Sequence, residues 1–269
     1  MKIIQITDIH LVRPGETMHG LDPAERLSAV IDDVLLRHSD ADLTVITGDL
    51  TDRADPEAYA ILRSAISRLP MRVQLLLGNH DHRARFLAEF PDTEIDAHGF
   101  VQSAIDMPGK AGRLLCLDTH ETGWSGGRYC EQRLEWLDAE LSKAPSLPVT
   151  LFMHHPPGDI GVTHFEKINL QQPEALIARL QAHPGGVRMI FIGHLHLPMN
   201  GVLSGGLPFT TGRSCTHHMV FNPATRDCDW VAGGPNYSVI LISDDRLLSI
   251  AVDGLGAPLI GRGAYPPGP

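Results

Sequence analysis

The stretch Lys2-Ile3-Ile4-Gln5-Ile6-Thr7-Asp8-Ile9-His10 decides the fold class. It is an apolar, β-branched run of strand length that stops at a carboxylate and an imidazole two residues apart. In an α/β sheet, ligands collect at the ends of parallel strands. Strand side chains alternate, so the Asp-x-His pair shares a direction if the strand continues. One such pair is ordinary hydrogen-bonding chemistry, but here it recurs. Leu43–Thr47 stops at Gly48-Asp49, Val73–Leu77 at Gly78-Asn79-His80-Asp81, Val149–Met153 at His154-His155-Pro156-Pro157, and Arg188–Ile192 at Gly193-His194-Leu195-His196.

Helical patterns separate these runs. Asp22-Pro23 is a cap followed by a proline suited to the first helical position, and Leu27, Val30, Ile31, Val34 and Leu35 then recur on one face through about Arg37. Further helices are expected over Pro56–Leu69, near His82–Phe90, over Glu131–Leu141 and around Pro173–Gln181. Strand, helix, strand is a βαβ unit, and near-continuous apolar runs are what strands covered on both faces need. Looser strand-like runs cover Phe100–Ile105, Arg113–Leu117, Phe209–Thr211, His218–Phe221, Ser238–Ile242 and Leu247–Val252. No repeat or linker interrupts the chain. The expectation is one α/β domain over residues 1–260 and a loose Gly/Pro-rich tail over 261–269.

With 269 residues, 43% apolar and 20% charged, the chain has the balance of a globular protein and not of a disordered or fibrous one. A formal charge of −10 argues against a dedicated nucleic-acid binder and for a small substrate. No apolar run is long enough to span a bilayer, and Met1 leads straight into a strand, so the expected location is cytoplasmic. The cysteines Cys116, Cys130, Cys215 and Cys228 lack metal-ligand spacing and read as reduced packing residues, a Cys215–Cys228 bridge being the minor alternative. Fifteen histidines are many for this length and suggest metal or proton chemistry.

The strand ends together offer imidazole, carboxylate and amide oxygen, a donor set suited to Mn, Fe, Co or Zn. Glycine before Asp49, Asn79 and His194 fits a sharp turn or a close approach. The ordered blocks D-x-H, G-D, G-N-H-D, a later H and G-H-x-H, from Asp8 to His196, resemble the calcineurin-like metallophosphoesterase superfamily. Gly48-Asp49-Leu50-Thr51-Asp52 and Phe152-Met153-His154-His155-Pro156-Pro157 look most like its bacterial class III cyclic-nucleotide phosphodiesterases and the related glycerophosphodiesterases. The resemblance fades after His196.

That resemblance implies a four-layer α/β/β/α sandwich of two mixed sheets flanked by helices. It implies two divalent metal ions per chain, one on Asp8, His10, Asp49 and His196, the other on Asp49, Asn79, His154 and His194, with Asp49 shared. It further implies hydrolysis of a small soluble phosphodiester by a hydroxide bridging the metals, 3′,5′-cyclic nucleotides (cAMP) leading and glycerophosphodiesters second. Asp49 and Asn79 then serve catalysis through the metals. His80 faces the phosphate as charge stabiliser or acid, with Asp81 holding its ring or supporting the turn. Asn79, His80 and His196 are the expected substrate contacts.

Other residues carry looser expectations. His217 or Ser214 touches substrate, His82 and Arg83 meet a phosphate or base or merely start a helix, Asp52 caps a helix or, as the second choice, accepts a hydrogen bond behind the site, and His155 is structural. The loops Gly15–Gly20 and Gly158–Leu170 wall the pocket, and Trp230–Gly234 is a subunit contact or core. The remaining histidines, His19 among them, read as surface or satisfied polar residues. A homo-oligomer is compatible with the sequence. Leu77 and Asp81 replace the Arg and Glu of the protein Ser/Thr phosphatase branch, which disfavours that activity. A non-catalytic scaffold on this fold is the rival from another class; such proteins lose ligands, and this chain keeps them all.

Overall fold

The computed structural model describes residues 1–258, 260, 261 and 263. The tail expected over 261–269 thus lies, apart from Gly261 and Gly263, outside the described residues. In chain order the strands and helices begin β1 (Lys2–Ile6), α1 (Pro23–His38), β2 (Leu43–Thr47), α2 (Pro56–Ile66), β3 (Arg72–Leu76) and α3 (Arg83–Glu89). There follow β4 (Ser103–Asp106), β5 (Arg113–Cys116), β6 (Gly127–Arg128), α4 (Glu131–Lys143), β7 (Val149–Met153), β8 (Leu170–Gln171) and α5 (Glu174–Ala182). The chain closes with β9 (Val187–Ile192), β10 (Asn200–Leu203), β11 (Leu207–Thr211), β12 (His218–Val220), β13 (Asp229–Val231), β14 (Tyr237–Ile242) and β15 (Leu247–Val252).

Two mixed sheets result. The first runs β15-β14-β1-β2-β3, with β1, β2 and β3 parallel and β14 and β15 antiparallel. The second runs β10-β11-β9-β7-β5-β4, parallel from β11 to β5 with antiparallel strands at both ends. Alternation along each strand sorts the side chains into three apolar layers. Ile4 and Ile6 face Leu27, Val30, Ile31 and Leu62 of α1 and α2, whereas Ile3, Val45, Leu114, Phe152, Phe191 and Ile240 fill the space between the sheets. Leu134, Leu137, Leu176 and Leu180 of α4 and α5 cover the far face of β5, β7 and β9. The order of layers is α/β/β/α, as expected. Among the described residues no helix is long and apolar enough to cross a membrane.

Local chemistry sets the ends of the elements. The Asp22 carboxylate accepts from Ala24 N and Glu25 N, capping α1. Helix α2 stops at Ile66, short of the expected Leu69, because the chain tightens into a turn in which Leu69 N donates to Ile66 O and Leu69 still reaches the core. The short strands β6, β8, β10 and β13 carry too little periodicity to be seen in sequence. Cys116, Cys130, Cys215 and Cys228 are free, so the Cys215–Cys228 bridge does not form.

Candidate active site

Beyond Ile6 the first strand does not continue. Asp8 and His10 take φ of 53° and 51°, and Asp49, His194 and His196 take 47°, 71° and 51°, all in the left-handed region that costs a non-glycine residue about 1–3 kcal/mol. The shared direction of Asp8 and His10 therefore comes from a turn and not from strand alternation, which corrects the sequence reading. The surroundings enforce that turn. Asp8 N donates to Gly48 O (3.2 Å), His10 N to Asp49 O (2.9 Å), His194 N to Asp8 Oδ1 (2.9 Å), and Ser214 Oγ to Asp8 O (2.6 Å). Gly78 is required by space alone, since a Cβ there would stand 2.1 Å from Asp49 Oδ1.

These turns bring Asp8, His10, Asp49, Asn79, His154, His194 and His196 to one floor, the charged and imidazole members all at most 5% exposed. Asp49 divides its two oxygens: Oδ2 lies 3.5 Å from His10 Nε2, and Oδ1 lies 3.4 Å from His154 Nε2. On one side, ligand-capable atoms of Asp8, His10, Asp49 and His196 lie within 4.8 Å of one another. On the other, His154 Nε2 sits 3.1 Å from Asn79 Oδ1, with the His194 ring packed against His154.

The hydrogen bonds fix which nitrogens face inward. His154 Nδ1–H donates to Thr47 O (2.8 Å) and His196 Nδ1–H to His217 O (2.9 Å), which turns both Nε2 atoms toward the floor. Anchoring the outer nitrogen on a carbonyl is how metal-binding histidines are held. His194 Nε2 is buried with no hydrogen-bond partner, and His10 Nε2 stands 3.0 Å from the His196 Nε2 lone pair. Burial, reinforced by neighbouring imidazoles, holds His194 and His196 far below the ordinary histidine range and hence neutral. Burial also resists charge on Asp49, yet His154 and His80 overcome it and keep the carboxyl well below the usual range. Burial works against a charged His154 too, but Asp49 and Asp8 lift it to about 9. Anionic oxygens and convergent lone pairs in a buried floor need a cation, and the donor set fits two borderline divalent ions.

His80 lies at the edge of this floor, more exposed than the rest. Its Nδ1–H donates to Asp52 O (2.9 Å) and lies 3.4 Å from Asp52 Oδ1; burial lowers its pKa, but Asp49 and Asp52 outweigh it and raise it to about 10. Asp52 is therefore a carboxylate partner of His80 and not a helix cap: α2 begins after Asp55, three residues later. Asp81 does not hold the His80 ring. It supports the turn instead, accepting from Gly78 N, Leu50 N, Thr51 N and Tyr59 Oη.

Above the floor opens a cavity of ≈ 260 Å³, lined among others by Met18, His19, His164, Phe165, Ile168, His217 and Trp230. Both expected loops contribute to it. His217 packs at a tilt against His196 and His10, with ring centroids 4.3 and 5.2 Å away. Ser214 is fully buried and spent on Asp8 O, so it touches no substrate. Arg83 turns away to clamp Asp118 with two hydrogen bonds (3.0 and 3.1 Å), and His82 caps α3 by accepting from Arg85 N. His155 shares a hydrogen bond with Thr119 Oγ1 (2.8 Å), a structural setting. Trp230 is neither core nor hidden: it is 37% exposed and stands over His196 and His217. His19 joins it. No residue-type signal marks either one, because short strand β13 and the loop at His19 lack periodicity.

Comparison with known proteins agrees with the geometry. Residues 1–198 match the family model of the calcineurin-like phosphoesterases. The chain is 36% identical to a probable cyclic nucleotide phosphodiesterase of Rhodopseudomonas palustris, over 92% of this chain and 90% of that protein. It is 30% identical to a probable glycerophosphodiester phosphodiesterase of Arcobacter nitrofigilis, over 73% of this chain and 72% of that one. A dimetal phosphatase from Danio rerio has the same fold, with a TM-score of 0.69 at 16% identity, covering 93% of this chain and 95% of that chain. The chain belongs to the calcineurin-like phosphoesterase family.

Proposed function

We propose that this protein is a metal-dependent phosphodiesterase acting on small soluble phosphodiesters, foremost 3′,5′-cyclic nucleotides. The observation that carries the reading is the single buried floor on which the two oxygens of Asp49 part toward His10 and toward His154. Asp8, His10, Asp49 and His196 would hold one divalent ion, and Asp49, Asn79, His154 and His194 the other. Such a pair supplies Lewis acidity toward phosphoryl oxygens and makes a hydroxide nucleophile available near neutral pH.

The remaining work falls to the chain. Thr47 O and His217 O hold the rings of His154 and His196 with their inner nitrogens turned to the floor. His80, fixed through Nδ1 by Asp52, leaves Nε2 to the cavity as a positive group beside the phosphate and as a proton donor to the leaving alkoxide. At ≈ 260 Å³ the cavity lies just below the roughly 300–1,000 Å³ of small-molecule sites, a size for a small ligand. The name of the Rhodopseudomonas relative supports the cyclic-nucleotide choice. Glycerophosphodiesters are the second reading, supported by the Arcobacter relative.

Steady-state hydrolysis with added Mn²⁺, comparing 3′,5′-cAMP, 2′,3′-cAMP, glycerophosphoethanolamine and a phosphomonoester, tests the reading. The expected order places 3′,5′-cAMP first. Dominance of the glycerol diester moves the enzyme to the second reading, and failure on every diester with every metal rejects the phosphodiesterase.

A further inference from the structure

At the His196 end of the cavity, Trp230 and His19 belong to none of the clusters that could hold a metal. In the hairpin formed by β12 and β13, Met219 pairs with Trp230, so both side chains share the inward face while Val220 and Val231 turn out. Met219 is buried with Phe165 and Leu195, and Trp230 beside it overhangs the floor. The indole centroid is 4.7 Å from His217 and 5.2 Å from His196, both edge-on, whereas the His19 imidazole lies near parallel to it (22°, 6.3 Å). The indole and the His19 ring are thus two near-parallel aromatic faces on one side of the cavity. At the other end Phe165 packs 5.1 Å from His194 and is almost fully buried, so it presents little surface.

The wall is held in place. Arg26 of α1 donates through Nη2 to Ala232 O and Gly233 O (both 2.8 Å), immediately after β13. His164 Nδ1–H donates to Arg226 O (3.1 Å), tying the hairpin to the loop on the far side of the cavity. An indole left more than a third exposed, fixed in orientation, within one group's reach of a phosphate-sized site is a recognition surface.

We infer that Trp230, with His19, is the specificity-determining wall that stacks the nucleobase of a nucleotide diester. The inference rests on the phosphodiesterase reading above and names its substrate class. A planar heterocycle uses both parallel rings, and stacking tolerates any base because each has a π face. A quaternary ammonium, the other ligand an indole attracts, gains little from the His19 imidazole, since Trp, Tyr and Phe are the favoured partners.

The test compares wild type, Trp230→Ala and Trp230→Phe on three diesters: 3′,5′-cAMP, the 3′,5′-cyclic phosphate of 1-deoxyribose, which lacks the base, and glycerophosphocholine. Base stacking predicts that Trp230→Ala lowers kcat/KM for cAMP by about 10-fold to 100-fold, mainly through KM, while Trp230→Phe keeps most of it. The baseless diester should be nearly unaffected. Equal loss on cAMP and the baseless diester would make Trp230 a support for His196 and overturn the proposal, as would selective loss on glycerophosphocholine. A second readout needs no turnover: AMP should quench indole emission in wild type and not in Trp230→Ala, where Trp124 and Trp136 remain as reference. Absence of quenching in wild type overturns the base wall, whereas absence of wild-type turnover on every diester rejects the phosphodiesterase reading itself.

Discussion

The floor and the walls of the cavity are built on opposite terms. The floor hangs from the ends of β1, β2, β3, β7 and β9, is buried, and holds several residues in the left-handed region against cross-bonds from neighbouring turns. The walls are two loops and a short hairpin, ranging from buried Phe165 to exposed Trp230, fixed by a few side-chain bonds such as those of Arg26 and His164. The family match ends at residue 198, which takes in every floor residue and leaves out His217 and Trp230. A scaffold that fixes chemistry and loops that choose the substrate is the usual division of labour on shared folds. Of the walls, the two loops fall inside the match and the hairpin outside it.

The comparison breaks first at Asp49. Asp49→Asn removes charge from the residue facing both imidazole groups, and kcat/KM should fall by roughly three powers of ten, on the order of 4 kcal/mol of barrier. Retained activity with normal metal content would show that the two halves of the floor do not share this residue. Next comes a glycine pair that sharpens the contrast in rigidity. Gly78→Ala drives a Cβ onto Asp49 Oδ1 and backbone N, whereas Gly234→Ala, beside the hairpin, meets nothing within 4 Å. Overpacking should cost the first about 1–3 kcal/mol in thermal unfolding together with metal retention, and leave the second near wild type. Equal melting temperatures would refute the difference.

An effect of no larger size concerns the support beneath the floor. His120 is buried, its Nδ1–H donating to Gly78 O (2.9 Å), and burial, outweighing nearby Asp118, pushes its pKa down to about 4. The unfolded chain binds this proton near pH 6.5 and the folded chain does not until about pH 4, so stability should fall as pH drops through that window. The loss is at most about 3 kcal/mol from this group. Denaturant unfolding at pH 7 and pH 4.5, in wild type and His120→Asn, measures it. An identical pH slope in both would remove His120 from the account.

How much could be read in advance follows the same division. The strands that carry the floor are apolar on both faces and end in chemistry-bearing residues, so their places and the sandwich around them were legible. The turn geometry was not, because alternation says nothing once a strand stops, and Asp8 and His10 converge through positive φ and not through the strand. For Asp52 the sequence leaves a cap and a hydrogen-bond acceptor open and favours the wrong one for a related reason. Asp52 stands four residues before a proline-started helix, and only the fold reveals that Asp55 precedes the first turn while Asp52 meets His80. For Arg83 the sequence leaves a phosphate contact and a helix start open; it starts α3 and pairs with Asp118, thirty-five residues away. Trp230 and His19 come together from segments some two hundred residues apart, with no periodic pattern in either.

The most direct measurement titrates Mn²⁺ into chelator-treated protein while following both bound metal and hydrolysis of 3′,5′-cAMP. The account predicts no turnover in the stripped protein and recovery that saturates at two ions per chain, with Asp49→Asn failing to reach that ratio. Full turnover without metal, or saturation with no gain in hydrolysis, would contradict the claim that this floor is a two-cation phosphodiesterase site.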